Sequence, residues 1–292
     1  MGEMSESKED SFLSEKVRNI ISSYGIREVH VYRSEKESWD IIWRWLWFTR
    51  KIWMAQYWKE TEKALQPLFP ILHSLNVNSI LDSSCGLGFK TIMFAKRNYE
   101  VEGSDQSAVA IRYAPILAEE QDFKIKFFRS RFDELGRKCM RKYDCVYSDY
   151  FDELETYDNL KASAKGVYSV LNEGGKFIFC SPSPKLKKAA LKELIEKEWR
   201  RRKKFIIKQP FEMNRLRVTH IETLDKTSEG ILENHIFIIE KKGVMRAEIA
   251  SIMNPRIKWT FKDYVNVLEK AGFSKVEFIE REKNEVFIIA MK

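Results

Sequence analysis

Histidine and cysteine are scarce in this 292-residue chain, with four of each. Cys85, Cys139, Cys145 and Cys180 form no C-x-x-C pair, and no histidine stands near them at ligand spacing. Neither a zinc module nor a disulfide framework is therefore expected, and no metal site is predicted. Long apolar runs are missing too. The best, Ile41 to Phe48, is interrupted by Arg44 and closed by Arg50 and Lys51, well short of the roughly 20 residues that cross a bilayer. Met1 to Asp10 is polar and acidic rather than leader-like, so reduced thiols in a cytoplasmic protein are the simplest expectation. Neither charge sign is scarce: 51 Lys+Arg face 43 Asp+Glu, for a net charge of +8. Such a mixed surface reads first as ordinary solubility, and no nucleic-acid partner is expected from it.

Apolar residues make up 44% of the chain and aromatics 13%, enough for a sizeable folded core. Apolar spacing predicts a helix over Ser11 to Ser23, through Phe12, Leu13, Val17, Ile20 and Ile21. A short extended piece follows at Val29 to Tyr32, then a long helical stretch from Glu37 to Leu75 with a kink or join at Pro67 and Pro70. From Val77 the period changes. Asn78 to Leu81, Tyr99 to Gly103, Ile125 to Phe128, Tyr143 to Ser148 and Lys176 to Cys180 read as short buried strands. Helical stretches separate them, and Asn172 to Gly175 reads as the turn into the fifth. That alternation implies a parallel sheet covered by helices on both faces. Beyond Pro182 a charged helix, Lys185 to Trp199, leads into strands at Phe205 to Ile207, Leu216 to Leu224, Ile231 to Glu240 and Met245 to Met253. A helix from Thr260, stopped by Gly272, and two closing strands complete the chain.

The chemistry concentrates in Ile80-Leu81-Asp82-Ser83-Ser84-Cys85-Gly86-Leu87-Gly88-Phe89-Lys90. A strand ends in an acid, small residues turn, and a helix begins. Gly86 and Gly88 let a ligand approach the backbone, and the helix start offers unpaired N–H groups to an anion. Asp105 ends the second strand, where a carboxylate can accept from both hydroxyls of a ribose. The dinucleotide pattern G-x-G-x-x-G fails, because Thr91 stands where its third glycine belongs, and no Walker pattern exists.

These residues resemble the class I S-adenosylmethionine-dependent methyltransferases, with Ser84 where many members have an earlier glycine. Tyr99 to Ser107, Gly230 to Phe273 and the Glu233-Asn234-His235 segment look most like the glycine N-methyltransferase type of small-molecule enzyme. The resemblance implies an α/β fold: a Rossmann-like seven-stranded methyltransferase sheet with an N-terminal helical addition and an antiparallel β insertion after the fifth strand. It implies four regions: a Trp-rich lid or oligomerisation segment (1–64), the cofactor-binding core (65–182), a substrate-binding insertion (183–258) and the closing helix and strands (259–292). It implies S-adenosylmethionine as cofactor. Asp82, Ser84, Gly86 and Gly88 would lie against its methionine part, Asp105 on the ribose and Gln106 by the adenine. Arg131 and Phe132 would flank the adenine, and Ser148, Asp149 and Tyr150 would line the mouth near the methyl. Where this type carries an arginine for the amino-acid carboxylate, after the fifth strand, Pro182 stands here; glycine itself is not the expected acceptor.

Methyl transfer needs a nucleophile held close, aligned and deprotonated, and the cofactor carries the activation. No N/D-P-P-Y/F tetrapeptide follows the fourth strand, which argues against DNA-base and glutamine-amide methylation. A small-molecule acceptor is expected, with an amine nitrogen foremost and hydroxyl or thiol open. His235 and Tyr150 are the catalytic candidates, with Tyr147 and Tyr157 as further contacts. Trp39, Trp43, Trp47, Trp53 and Tyr57 fall near one helical face, which suits a lid over a cation, core packing or a subunit partner. A homo-oligomer is thus open, and peripheral membrane contact through that helix is the less favoured reading. A lipid-headgroup enzyme, an RNA methyltransferase supported only by charge, and a non-catalytic binding module are the rivals.

Overall fold

The computed structural model describes residues 15–282 and 284–292; Met1 to Asp10, Phe12 and Leu13 lie outside them. In chain order the elements are α1 (Glu15–Ser23), β1 (Glu28–Tyr32), α2 (Glu35–Phe48), α3 (Arg50–Leu65), α4 (Leu68–Ser74), β2 (Ser79–Ser83), α5 (Phe89–Lys96), β3 (Glu100–Asp105), α6 (Ala108–Glu119), β4 (Lys126–Arg129), α7 (Leu135–Lys138), β5 (Tyr143–Ser148), α8 (Tyr157–Ser169), β6 (Leu171–Pro182), α9 (Leu191–Arg201), β7 (Phe205–Ile207), β8 (Phe211–Met213), β9 (Leu216–Lys226), β10 (Gly230–Lys241), β11 (Val244–Arg256), α10 (Phe261–Ala271), β12 (Lys275–Glu282) and β13 (Glu285–Met291). No helix among the described residues is long and apolar enough to cross a membrane.

The chain forms two compact units. The larger comprises Trp53–Arg201, Lys226–Ile231 and Met253–Lys292. It is built on a seven-stranded sheet in the order β12-β13-β6-β5-β2-β3-β4. β2 lies parallel to β3 and β5, β4 to β3, and β6 to β5, while β13 runs antiparallel to β6 and β12 antiparallel to β13. Alternate residues enter opposite cores, as a sheet covered on both faces requires. Ile80, Tyr147, Ile178, Phe287 and Ile289 join Leu65, Leu68, Leu72 and Phe94 on one side. Leu81, Val146, Phe177, Phe179 and Ile288 join Leu160, Tyr264 and Val267 on the other. The expected α/β sheet with helices on both faces is what forms.

Among the described residues the smaller unit comprises 15–52, Arg202–Asp225 and Leu232–Ile252. Its sheet has the order β1-β11-β10-β9-β7, with β8 pairing β9. β1 runs parallel to β11, and β7 and β8 run antiparallel to β9. One face packs Ile221, Ile236, Ile238 and Ile249 on Val17 and Ile21 of α1. The other packs Val218, Phe237, Ile239 and Ile252 on Ile41, Ile42 and Trp45 of α2. Described residues 15–52 of the N-terminal addition and segments 202–225 and 232–252 of the insertion therefore share one compact unit.

Three local expectations need correction. The stretch from Glu37 to Leu75 is three helices, broken at Thr49 as well as at Pro67. The Thr49 hydroxyl donates to the Trp45 carbonyl at 2.9 Å, an intrahelical bond of the sort that bends and ends helices. Trp39, Trp43 and Trp47 thus stand on α2, and Trp53 and Tyr57 on a separate helix, α3. Asn172 to Gly175 is not a turn before the strand but part of β6, where register slips between Tyr143–Leu171 and Cys145–Lys176. Finally, β8 is absent from the sequence reading. It returns to β9 through Asn214 and Arg215, both at positive φ (53° and 61°), a two-residue hairpin turn made without the glycine that usually marks one.

Helix α8 approaches the turn at Phe132–Glu134 so closely that a Cβ at Gly166 would stand 1.9 Å from the Phe132 carbonyl oxygen. Gly166→Ala should lose about 3 kcal/mol of stability or more in urea unfolding; an unchanged midpoint would mean that the turn yields freely.

Candidate active site

The carboxyl ends of β2, β3 and β5 meet at one place in the larger unit. β2 lies between the other two there, so the chain leaves it at the switch point where parallel α/β sheets bind ligands. Asp82 is wholly buried at the end of β2. Its Oδ2 accepts from the Thr91 hydroxyl at 2.6 Å, and its Oδ1 has no partner among the described residues. Burial pushes its carboxyl up to about 6, against the hydrogen bond from Thr91 and the nearby Lys90 charge. An orphaned buried oxygen of this kind fits the ammonium of an amino acid.

The turn that follows has Gly86 and Gly88 at φ of 53° and 87°. A Cβ at Gly88 would stand 3.0 Å from the Phe127 ring, so this glycine serves both the left-handed turn and the packing of β4. Asp105 binds the loop directly: Oδ2 accepts from Gly86 N–H at 2.9 Å and Oδ1 from Ser107 N–H at 2.8 Å. Across the mouth, the Ser84 and Ser148 hydroxyls are 3.0 Å apart and Ser84 donates to Asp149 at 3.4 Å. Lys90 forms an ion pair with Asp149. Asp82, Ser84, Gly86, Gly88, Asp105, Ser148 and Asp149 are thus brought together. The Ser148 hydroxyl also accepts from Tyr150 N–H at 3.1 Å, which places Tyr150 next to them.

The other candidates stand differently. Gln106 follows Asp105, and its carbonyl accepts from Arg129 Nε at 3.1 Å. Arg131 is largely exposed and pairs with Asp133 at 3.0 Å. Phe132 packs edge-on to Phe151, with ring centres 5.8 Å apart, beside the larger core. Tyr147 lies in the opposite core against Phe94, and Tyr157 packs on Trp259. His235 belongs to the smaller unit. Its Nδ1 is 3.0 Å from His220 Nε2 and its Nε2 is 3.2 Å from Glu233.

Four residues of the larger unit are not among the predicted cofactor-binding or catalytic residues. Lys90 is one, its ammonium pKa lowered by burial despite the Asp82 charge. Its place in the motif, two after Gly88, is the signal that could have found it. Tyr57 is the second. Trp53, Tyr57 and Trp58 surround Phe89, with ring centres at 5.8, 4.7 and 4.5 Å, and clamp the first residue of α5. The Tyr57 phenol is pushed up by burial and by the Glu60 and Asp82 charges. Asp152, half-buried in the turn after β5, has a shielded Oδ1 with no partner among the described residues. Burial, then Glu285, raises its carboxyl to about 7, while Arg281 opposes. Arg281 is the fourth; it crosses the Phe287 ring and donates to Cys180 Sγ at 3.1 Å. No pattern in its charged neighbourhood singles it out.

A model described as a methyltransferase domain matches residues 76–254. The chain belongs to this methyltransferase family. With the strand order above, it is a class I S-adenosylmethionine-dependent methyltransferase. Solved structures share the fold of this methyltransferase at low identity. A S-adenosylmethionine-dependent methyltransferase from Clostridium acetobutylicum is 15% identical, with a TM-score of 0.53 over 77% of this chain and 88% of that one. Streptomyces venezuelae DesVI is 13% identical, with a TM-score of 0.52 over 89% and 98%. The sugar N-methyltransferase KedS8 from Streptoalloteichus is 11% identical, with a TM-score of 0.54 over 80% and 86%. No curated protein matches the methyltransferase.

Because the Asp82 carboxyl is raised when folded, the native state binds a proton more tightly than the unfolded chain does. Its contribution to stability falls as pH rises from about 4 to about 6 and stays low above that. Asp82→Asn should therefore gain about 1–3 kcal/mol at pH 7 and lose this part of the pH dependence. Chemical denaturation at pH 4, 5.5 and 7 measures it; a parallel decline in wild type and variant would contradict the assignment.

Proposed function

We propose that this methyltransferase transfers a methyl group to an amine nitrogen of a small molecule. The observation that carries this reading is the Asp152 carboxyl in the turn after β5, whose Oδ1 is shielded without a partner among the described residues and whose pKa burial raises to about 7. An ammonium must lose its proton before its lone pair can attack, and a carboxylate tuned to about 7 can take that proton at working pH. The fold is shared with a sugar N-methyltransferase, which agrees with such an acceptor.

S-adenosylmethionine supplies a methyl group already activated on a sulfonium. Asp82 Oδ1 would hold the ammonium of its methionine part, and Lys90 the carboxylate, once released from Asp149. The Gly86 to Gly88 turn admits it without a side-chain clash. Asp105 takes the ribose hydroxyls, with Gln106, Arg131 and Phe132 along the adenine. Ser84, Ser148 and Asp149 form the wall beside the reacting atoms, and Tyr150 closes it. Asp152 would take the acceptor's proton and leave the amine nitrogen its lone pair for the methyl group that the cofactor would supply.

Two expectations test this. Calorimetry should show S-adenosylmethionine binding that Asp105→Ala weakens at least tenfold; a folded wild type that binds neither it nor S-adenosylhomocysteine would sink the cofactor assignment. With methyl-labelled cofactor, amines should be methylated in preference to alcohols and thiols. Asp152→Asn should lower kcat about 100-fold, and the wild-type rate should rise with pH through about 7 as Asp152 ionises. Transfer confined to alcohols or thiols would overturn the amine reading while leaving the enzyme assignment intact.

A further inference from the structure

The smaller unit contains a second constellation that the methyl-transfer site does not use. His220 and Glu222 stand two apart on β9, so both point to the same face of the sheet, and His235 lies on neighbouring β10. His220 Nε2 is 3.0 Å from His235 Nδ1 and 3.7 Å from Glu222 Oε1. One ligand atom from each of the three residues falls within 4.8 Å of the others. We infer that His220, His235 and Glu222 bind a divalent transition-metal cation of the zinc class.

The tautomers carry the argument. His235 Nε2 faces the Glu233 carboxylate at 3.2 Å, and Glu233 is itself held by an ion pair with Arg202. A carboxylate accepts, so His235 donates from Nε2 and its Nδ1 keeps a lone pair aimed at His220. This is the outer support that metal-bound imidazoles have: one nitrogen fixed by a carboxylate, the other presented to the ion. His220 Nε2 lies at the meeting point of that lone pair and a carboxylate oxygen. Its ring stacks on Phe237, with centres 4.4 Å apart, which fixes its direction.

The spacing fits with little movement. Two nitrogens at ordinary Zn–N distances of about 2.0–2.1 Å in a tetrahedral site stand roughly 3.3 Å apart. The pair at 3.0 Å need open by only a few tenths of an ångström. Both histidines are buried, while Glu222 is half-buried and gives the cation a way in from solvent. Glu222 Oε2 faces Lys208 at 3.4 Å, leaving Oε1 toward the imidazoles. Two imidazoles and one carboxylate make a three-ligand set with a fourth position open to water or a ligand atom. The alternative occupant is a single proton shared between the imidazoles. The sequence predicts no metal here because the ligands come from two strands, 15 residues apart between the histidines, and match no compact motif.

The test uses the full-length protein without a polyhistidine tag, titrated with Co2+ and then Zn2+. One equivalent of Co2+ should give the visible absorption bands of a tetrahedral site, and Zn2+ should abolish them. His220→Asn and His235→Asn should each remove the bands while thermal unfolding shows a folded protein. Glu233→Gln, which spares all three ligands, should weaken affinity about 10- to 100-fold. Absence of stoichiometric binding by wild type would assign the cluster to a shared proton. Undiminished binding in the double histidine variant would assign the ion to the exposed His30 or His73. Either result overturns the site. Neither depends on methyl transfer, so failure here leaves the enzyme reading standing.

Discussion

A carboxylate sealed into the end of a strand, with one oxygen held and the other left over, organises this molecule. Asp82 is fully buried, and its Oδ2 accepts from the Thr91 hydroxyl at 2.6 Å. That bond ties the last turn of β2 to the first turn of α5 and fixes the loop between them. The clamp of Trp53, Tyr57 and Trp58 on Phe89 sets the same helix start from outside. Both devices serve to hold a short stretch of backbone still, so that its N–H groups and the stranded oxygen face one place. Such an acid opposes folding at neutral pH, and the two apolar cores on either side of the sheet offset it.

The same economy of contacts runs across the sheet. Phe127 on β4 fills the space that side chains at Gly88 and Gly103 would take; a Cβ at Gly103 would come within 2.5 Å of its ring. The two glycines of this region thus support a hydrophobic wedge as much as a ligand. On the other side, Ser84, Ser148, Asp149 and Lys90 link the β2 loop to the end of β5. The link closes the crevice between the strands that flank the switch point, and it does so with groups that can exchange partners when a charged ligand arrives.

Much of the larger unit was legible because its signals are local. Strands β2, β5 and β13 are largely buried, Thr260 caps α10 with a capping box, and Gly272 ends it at φ 113°. The motif from Asp82 to Lys90 announced the strand, turn and helix in one reading. What stayed hidden depends on tertiary proximity. Arg281 reaches Cys180 only because β12 and β13 fold beside β6. The Asp152 carboxyl is raised by burial and then by the Glu285 charge, neither of which spacing announces. His235 was conspicuous by its rarity, but its neighbour on β9 could not be named from spacing alone. The long aromatic helix misled for a different reason. Periodicity continues through Thr49, while a single side-chain bond to the backbone stops the helix there.

The smaller unit is assembled from three separated pieces of chain, and β1 joins it by parallel pairing to β11, with Tyr32 opposite Ala250. During synthesis, then, the first strand and the aromatic helix after it emerge long before their partners exist. At the usual pace of about 5–20 residues per second, some 200 further residues take on the order of 10–40 s. Throughout that interval Ile41, Ile42 and Trp45, which end in the core, have no sheet to cover them. A chain truncated before β11 therefore lacks the strand on which β1 pairs and leaves part of that apolar surface uncovered.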